Sequence, residues 1–83
     1  MAPWVVYMLR CGDGTLYTGV TNRLQERIRA HRQGKGARYT RGRGPLRLIY
    51  VEHAGLRGDA LRRELEIKKL TRRDKLRLAR TAA

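Results

Sequence analysis

Five side chains in this 83-residue chain have types suited to phosphodiester chemistry: Tyr7, Tyr17, Arg27, His31 and Glu64. A phenol or an imidazole gives or takes a proton, a guanidinium presents several N–H donors to phosphate oxygens, and a lone carboxylate holds one cation through water. Tyr7 stands in WVVYML (4–9) and Tyr17 in TLYTGV (15–20), two strand-like runs where Val, Ile or Leu would suffice. Arg27 and His31 border the apolar stripe of Leu24 and Ile28, although Arg29 and Gln33 fall on a free outer face of the same helical pattern. Glu64 falls inside the apolar arc of Leu61, Leu65 and Ile67, and Glu66 outside it.

Each residue also has an ordinary reading. Strand tyrosines are often half buried with a wet hydroxyl, which is the expectation for Tyr39 and Tyr50. Arg27 would snorkel, and Glu64 would pair with Lys68 one turn on for only about 0.2–0.5 kcal/mol. That is weak compensation for an acid held against a core.

The elements that must position these groups follow from the pattern. Residues 4–9 read as a strand covered on both faces, CGDG as a turn, and 16–20 as the return strand of a hairpin. A three-residue Gly12-Asp13-Gly14 loop, with Gly14 in a left-handed bulge, puts both phenols on one face; a two-residue loop would separate them. A helix over about 23–33 starts at an Asn22 cap and stops at Gly34. GKGARYTRGRGP is a loop, 46–53 a third strand, Asp59 caps a helix running to Leu70, and Thr71 with Asp74 opens a short last helix. The order β-β-α-β-α-α predicts an α+β fold with a small three-stranded antiparallel/mixed sheet in order 2-1-3, flanked by helices, in one domain over 1–83.

Composition bounds the partners. Twenty Lys and Arg against seven Asp and Glu give a net charge of +13, and nucleic acid is the obvious compensating polyanion. No apolar stretch approaches the ~20 residues of a membrane span, and the start lacks a signal-peptide pattern. Cys11 is alone, which excludes an intrachain disulfide and fits a reducing, cytoplasmic setting. With Asp13, Asp59 and Asp74 spent on turns and helix starts, too few acids remain for a two-metal cluster, which leaves at most one ion held by Glu64 and water.

The segments VYM (6–8), YTG (17–19), LQERIRAH (24–31) and ALRRELEIK (60–68) together resemble a GIY-YIG endonuclease domain, in particular the small stand-alone bacterial members. The likeness spans nearly the whole chain. It implies that Tyr7 and Tyr17 are the motif tyrosines, that Arg27 contacts the scissile phosphate, and that Glu64 ligates a single divalent ion, Mg2+ or Mn2+. His31 would stand near the nucleophile. Tyr7 is the stronger candidate for the base and Tyr17 for positioning water or phosphate, an order the residues themselves leave open. Val6 and Thr18 depart from the isoleucines of the motif names, at positions that pack, and no second domain is expected to choose targets.

The expected function is metal-dependent cleavage of DNA, structured or single-stranded DNA included, with DNA repair as a setting; DNA is preferred to RNA, and a monomer or weak dimer to a larger assembly. Lys35, Arg38, Tyr39, Arg41 and Arg43 in the glycine-rich loop, with Lys68, Arg72 and Arg73, are expected to hold the nucleic acid. A phenol activated by neighbouring cations would take the proton from water. The alternative is a nucleic-acid-binding accessory with weak or no cleavage, which would use the cationic C-terminal stretch equally well but has no need of Glu64.

Overall fold

A computed structural model describes residues 2–81. The continuous apolar run forms the central strand β1 (Trp4–Arg10), whose residues Val5 to Leu9 are buried on both faces. Cys11 N–H bonds the Thr15 carbonyl at 2.8 Å, closing the three-residue loop Gly12-Asp13-Gly14, with Gly14 left-handed at φ 87°. Only glycine adopts that φ without steric cost. The chain returns as β2 (Leu16–Thr21), antiparallel to β1, with Tyr7 opposite Gly19 and Tyr17 opposite Leu9. Both phenols therefore share a face.

The helix α1 (Leu24–Arg32) covers that face. Its start differs from expectation: Arg23 occupies the cap position without a side-chain bond, and the Thr21 hydroxyl, not Asn22, accepts an N–H, that of Arg23, at 3.0 Å. Its end follows expectation, because Gly34 (φ 75°) donates to His31 O at 3.1 Å and Lys35 to Ala30 O at 2.8 Å. These two bonds satisfy the last carbonyls as a Schellman motif does. A 3-10 turn over Arg38–Thr40 interrupts the glycine-rich loop.

Strand β3 (Arg47–Gly55) pairs antiparallel with the other side of β1, so the sheet order is β2-β1-β3. Register shifts leave Ile49 and Ala54 as extra residues in β3. Helices α2 (Arg57–Lys68) and α3 (Arg72–Thr81) cover the second face, where Val6, Met8, Tyr50, Ala60 and Ile67 form a core. On the first face Tyr7, Leu9, Cys11, Ile28 and Leu46 form the other.

Helix α2 begins two residues before the expected Asp59 cap; Asp59 sits in its first turn and pairs with Arg62. The expected apolar arc of Leu61 and Leu65 is also displaced, since Leu65 is 59% exposed and the inward residues are Ala60 and Ile67. Tyr50 is 7% exposed rather than half buried, and its hydroxyl donates to Glu52 rather than to water. Thr71 does open α3, accepting the Asp74 N–H at 3.1 Å. No helix among the described residues is long and apolar enough to cross a membrane.

Candidate active site

On the α1 face the polar groups meet in a chain. Tyr7, with no exposed surface, places its hydroxyl 2.7 Å from His31 Nε2; His31 is 1% exposed and its Nδ1 lies 2.9 Å from the Thr40 hydroxyl. Thr40 is itself buried and donates to the Ala37 carbonyl at 2.9 Å. A hydroxyl has one proton, so Thr40 must accept from Nδ1–H, which leaves Nε2 as acceptor for the Tyr7 O–H. The Ala37 N–H also approaches Nδ1, but at 3.4 Å, and the shorter contact sets the tautomer.

Two glycines make this possible. A Cβ on Gly19 would stand 2.7 Å from the Tyr7 oxygen, and one on Gly36 would collide with Nδ1 and the ring of His31. Gly36 and Thr40 are the site residues that sequence reasoning missed. Thr40 shows no periodic signal, because it reaches His31 through a 3-10 turn; only the glycine density of the loop hinted at a close approach.

Burial pushes the Tyr7 phenol up to about 12, outweighing the neighbouring Arg27 guanidinium, which lowers it. Arg27, half buried on α1, is favoured further in its charged form chiefly by Tyr7 and less by Tyr17. His31 is drawn down to about 4, first by burial and then by the Arg27 charge. The free protein therefore holds a neutral phenol against a neutral imidazole. Arg27 acts on Tyr7 in the direction expected of a neighbouring cation, but desolvation is the larger effect.

Tyr17 links this chain to the surface. Its ring lies 6.2 Å from that of Tyr7, 5.1 Å from His31 and 6.0 Å from Tyr39. It lines a groove at the β2 edge together with Leu16, Thr18, Tyr39, Lys68 and Lys75. Thr18 brings a buried hydroxyl with no hydrogen-bond partner among the described residues. An adjoining depression is bordered by Thr15, Leu16, Tyr39, Arg72 and Lys75. Arg72 also donates to the Gly14 carbonyl, tying α3 to the hairpin tip.

Glu64 comes from the opposite face of the sheet, on α2. Its side chain is 15% exposed against 66% for Glu66, so the inward and outward acids are as expected. Its carboxylate lies 3.4 Å from Lys68 Nζ, and Lys68 lines the Tyr17 groove. Glu64 thus joins the groove through Lys68, while Tyr7, Tyr17, Arg27 and His31 meet directly. Lys35, Arg38, Arg41 and Arg73 are exposed and border neither depression; Arg43 instead pairs with Asp13 at 2.5 Å and covers the Tyr39 ring at 4.6 Å.

Among the described residues no group of three His, Cys, Asp or Glu could enclose a metal ion. A single partly buried carboxylate beside a groove nevertheless suits Mg2+, which keeps several waters and takes one or two carboxylates plus substrate phosphates.

Residues 3–77 match the GIY-YIG catalytic domain. A UPF0213 protein of Clostridium perfringens is 56% identical over 73 residues, 88% of this chain and 78% of that protein. A UPF0213 protein of Cronobacter sakazakii is 46% identical over 78 residues, covering 94% and 82%. Among solved structures, the solution NMR structure of the UPF0213 protein BH0048 from Bacillus halodurans gives a TM-score of 0.60 at 46% identity, covering 94% of this chain and 83% of that one. The NMR structure of the protein EF2693 from E. faecalis gives 0.63 at 33% identity, covering 94% and 84%.

Proposed function

The chain belongs to the GIY-YIG catalytic domain family, and on that footing we propose that it is a metal-dependent endonuclease hydrolysing phosphodiester bonds in DNA, structured or single-stranded DNA included. The observation that carries this reading is the buried Tyr7–His31 hydrogen bond directly beneath the groove residue Tyr17. Packing alone would be met by phenylalanine or leucine, whereas this pair commits two buried polar groups to each other, at a cost that their hydrogen bond must offset.

In this reading a phosphate in the groove pairs with Arg27, whose guanidinium stands against both phenols. That pairing screens the charge which depresses His31, so substrate itself makes Nε2 a better acceptor. The attacking water gives its proton to Tyr17 at the groove end as its oxygen bonds phosphorus and the P–O bond to the leaving oxygen breaks; Tyr17 passes its own proton to Tyr7, and Tyr7 passes its own to His31 Nε2. Thr40 holds the imidazole in the required tautomer. Glu64 would hold the divalent ion, Mg2+ or Mn2+, which when bound supplies Lewis-acid stabilisation of charge developing on the phosphate and leaving oxygens.

The Glu64–Lys68 pair favours a second reading, a nucleic-acid-binding accessory with weak or no cleavage, because a carboxylate engaged by lysine is less available to an ion. Supercoiled plasmid and labelled oligonucleotides incubated with magnesium, and with chelator, separate the two. Nicking that needs the ion and falls 100-fold or more in Tyr7→Phe supports the nuclease. Binding without nicking supports the accessory.

A further inference from the structure

Tyr39 is the one tyrosine of the α1 face that stays largely at the surface: it is 43% exposed, while Tyr7 has no exposed surface. Its ring is nevertheless held in place. Arg43 covers it at 4.6 Å, and Arg43 is in turn anchored to Asp13 at the hairpin tip at 2.5 Å. Tyr17 flanks it at 6.0 Å with the rings 32° apart. Tyr39 also borders both depressions at the β2 edge, whose walls carry Lys68, Arg72 and Lys75.

A fixed, exposed aromatic between cations matches the chemistry of a nucleobase on a charged backbone: the ring meets the π-face and the lysines and arginine meet the phosphates. A base paired inside a duplex has both faces covered by its neighbours. From this we infer that Tyr39 is a stacking platform for an unpaired nucleobase next to the phosphate held in the Tyr17 groove, so that the substrate is nucleic acid with a single-stranded or frayed position there. The inference rests on the proposed nucleic-acid site at the β2 edge and adds the structural class of its substrate.

The test reads binding rather than cleavage. Single-stranded DNA containing 2-aminopurine, and the duplex of the same sequence, are titrated with the full chain in chelator, following anisotropy and 2-aminopurine fluorescence. The single strand should bind about tenfold more tightly than the duplex, with quenching of the probe. Tyr39→Leu keeps apolar bulk but removes the π-face; it should bring the affinity ratio close to one and abolish quenching, without changing the salt slope. Tyr39→Phe should retain both. Lys75→Ala should instead lower the single-strand salt slope by about 0.7.

A wild-type preference for duplex, or a ratio unmoved in a Tyr39→Leu protein that still melts cooperatively, would overturn the inference. Its fate is separable from that of the nuclease reading. Magnesium-dependent nicking with an unmoved ratio removes only the stacking platform, whereas a lost ratio without any nicking upholds the platform and removes the nuclease.

Discussion

Tyr7 donates its hydroxyl proton to His31 Nε2 across 2.7 Å, in an interior where neither ring exceeds 1% exposure. Replacing Tyr7 by Phe removes the donor but keeps the ring, so the circular dichroism spectrum and the fold should persist. Nicking should fall by 100-fold to 10,000-fold, the usual range for a proton-transfer group. Single-turnover rates with Tyr7→Phe at saturating enzyme read this directly, since DNA affinity should remain within about twofold.

His31 should make stability depend on pH. In the folded chain it stays neutral down to about 4, while unfolded it takes a proton near 6.5. Between those values the unfolded state binds more protons, so stability rises with pH and is lost on acidification through that window. Urea unfolding at pH 7 and pH 5 should show wild type losing about 2 kcal/mol more than His31→Gln. Equal losses would place His31 in water rather than in the core.

Gly19 and Gly36 close on the Tyr7–His31 pair from two sides. Gly19→Ala would press on the phenol oxygen, and Gly36→Ala on Nδ1 and the ring. Each should cost about 1–3 kcal/mol by overpacking and reduce nicking beyond the loss of folded protein. Gly58→Ala is the control, because a Cβ there meets nothing within 4 Å. Thermal melts of the three variants check the order.

Helix α2, which carries Glu64, is tied to β3 by Arg63, whose Nε reaches Glu52 at 2.8 Å and whose Nη1 reaches Glu66 at 3.1 Å. Burial acts to raise the Glu52 carboxyl, but bonds from Tyr50 and Arg63 prevail and hold it below its usual range. Glu52→Gln should cost about 1 kcal/mol, reduced from the buried value because both side chains are about a third exposed. Chemical unfolding at neutral pH measures it.

The sheet was legible because its signals are local. A six-residue apolar run, a hairpin loop ending in glycine and a helical crossover leave few ways to arrange three strands, and the three-residue loop is the one of the two possible lengths that puts both phenols on one face. The inward setting of His31 and Glu64 was legible from helical spacing. Two of the three helix starts were not: Asn22 and Asp59 have capping side chains, but the Thr21 hydroxyl reached the Arg23 N–H and α2 extended back to Arg57. Periodicity also favoured large residues, so Leu65 was read as core where the small Ala60 does the packing. The Thr40–His31 contact depends on an irregular loop that no period describes.

The most direct measurement compares two acids two residues apart on α2. Oligonucleotide cleavage in magnesium is followed for wild type, Glu64→Gln and Glu66→Gln, each with a chelator control. Glu64→Gln should abolish ion-dependent cleavage while Glu66→Gln cleaves at the wild-type rate, because only Glu64 is turned inward beside the groove. Undiminished cleavage by Glu64→Gln, or a wild-type chain that never cleaves with any divalent ion, would contradict the account.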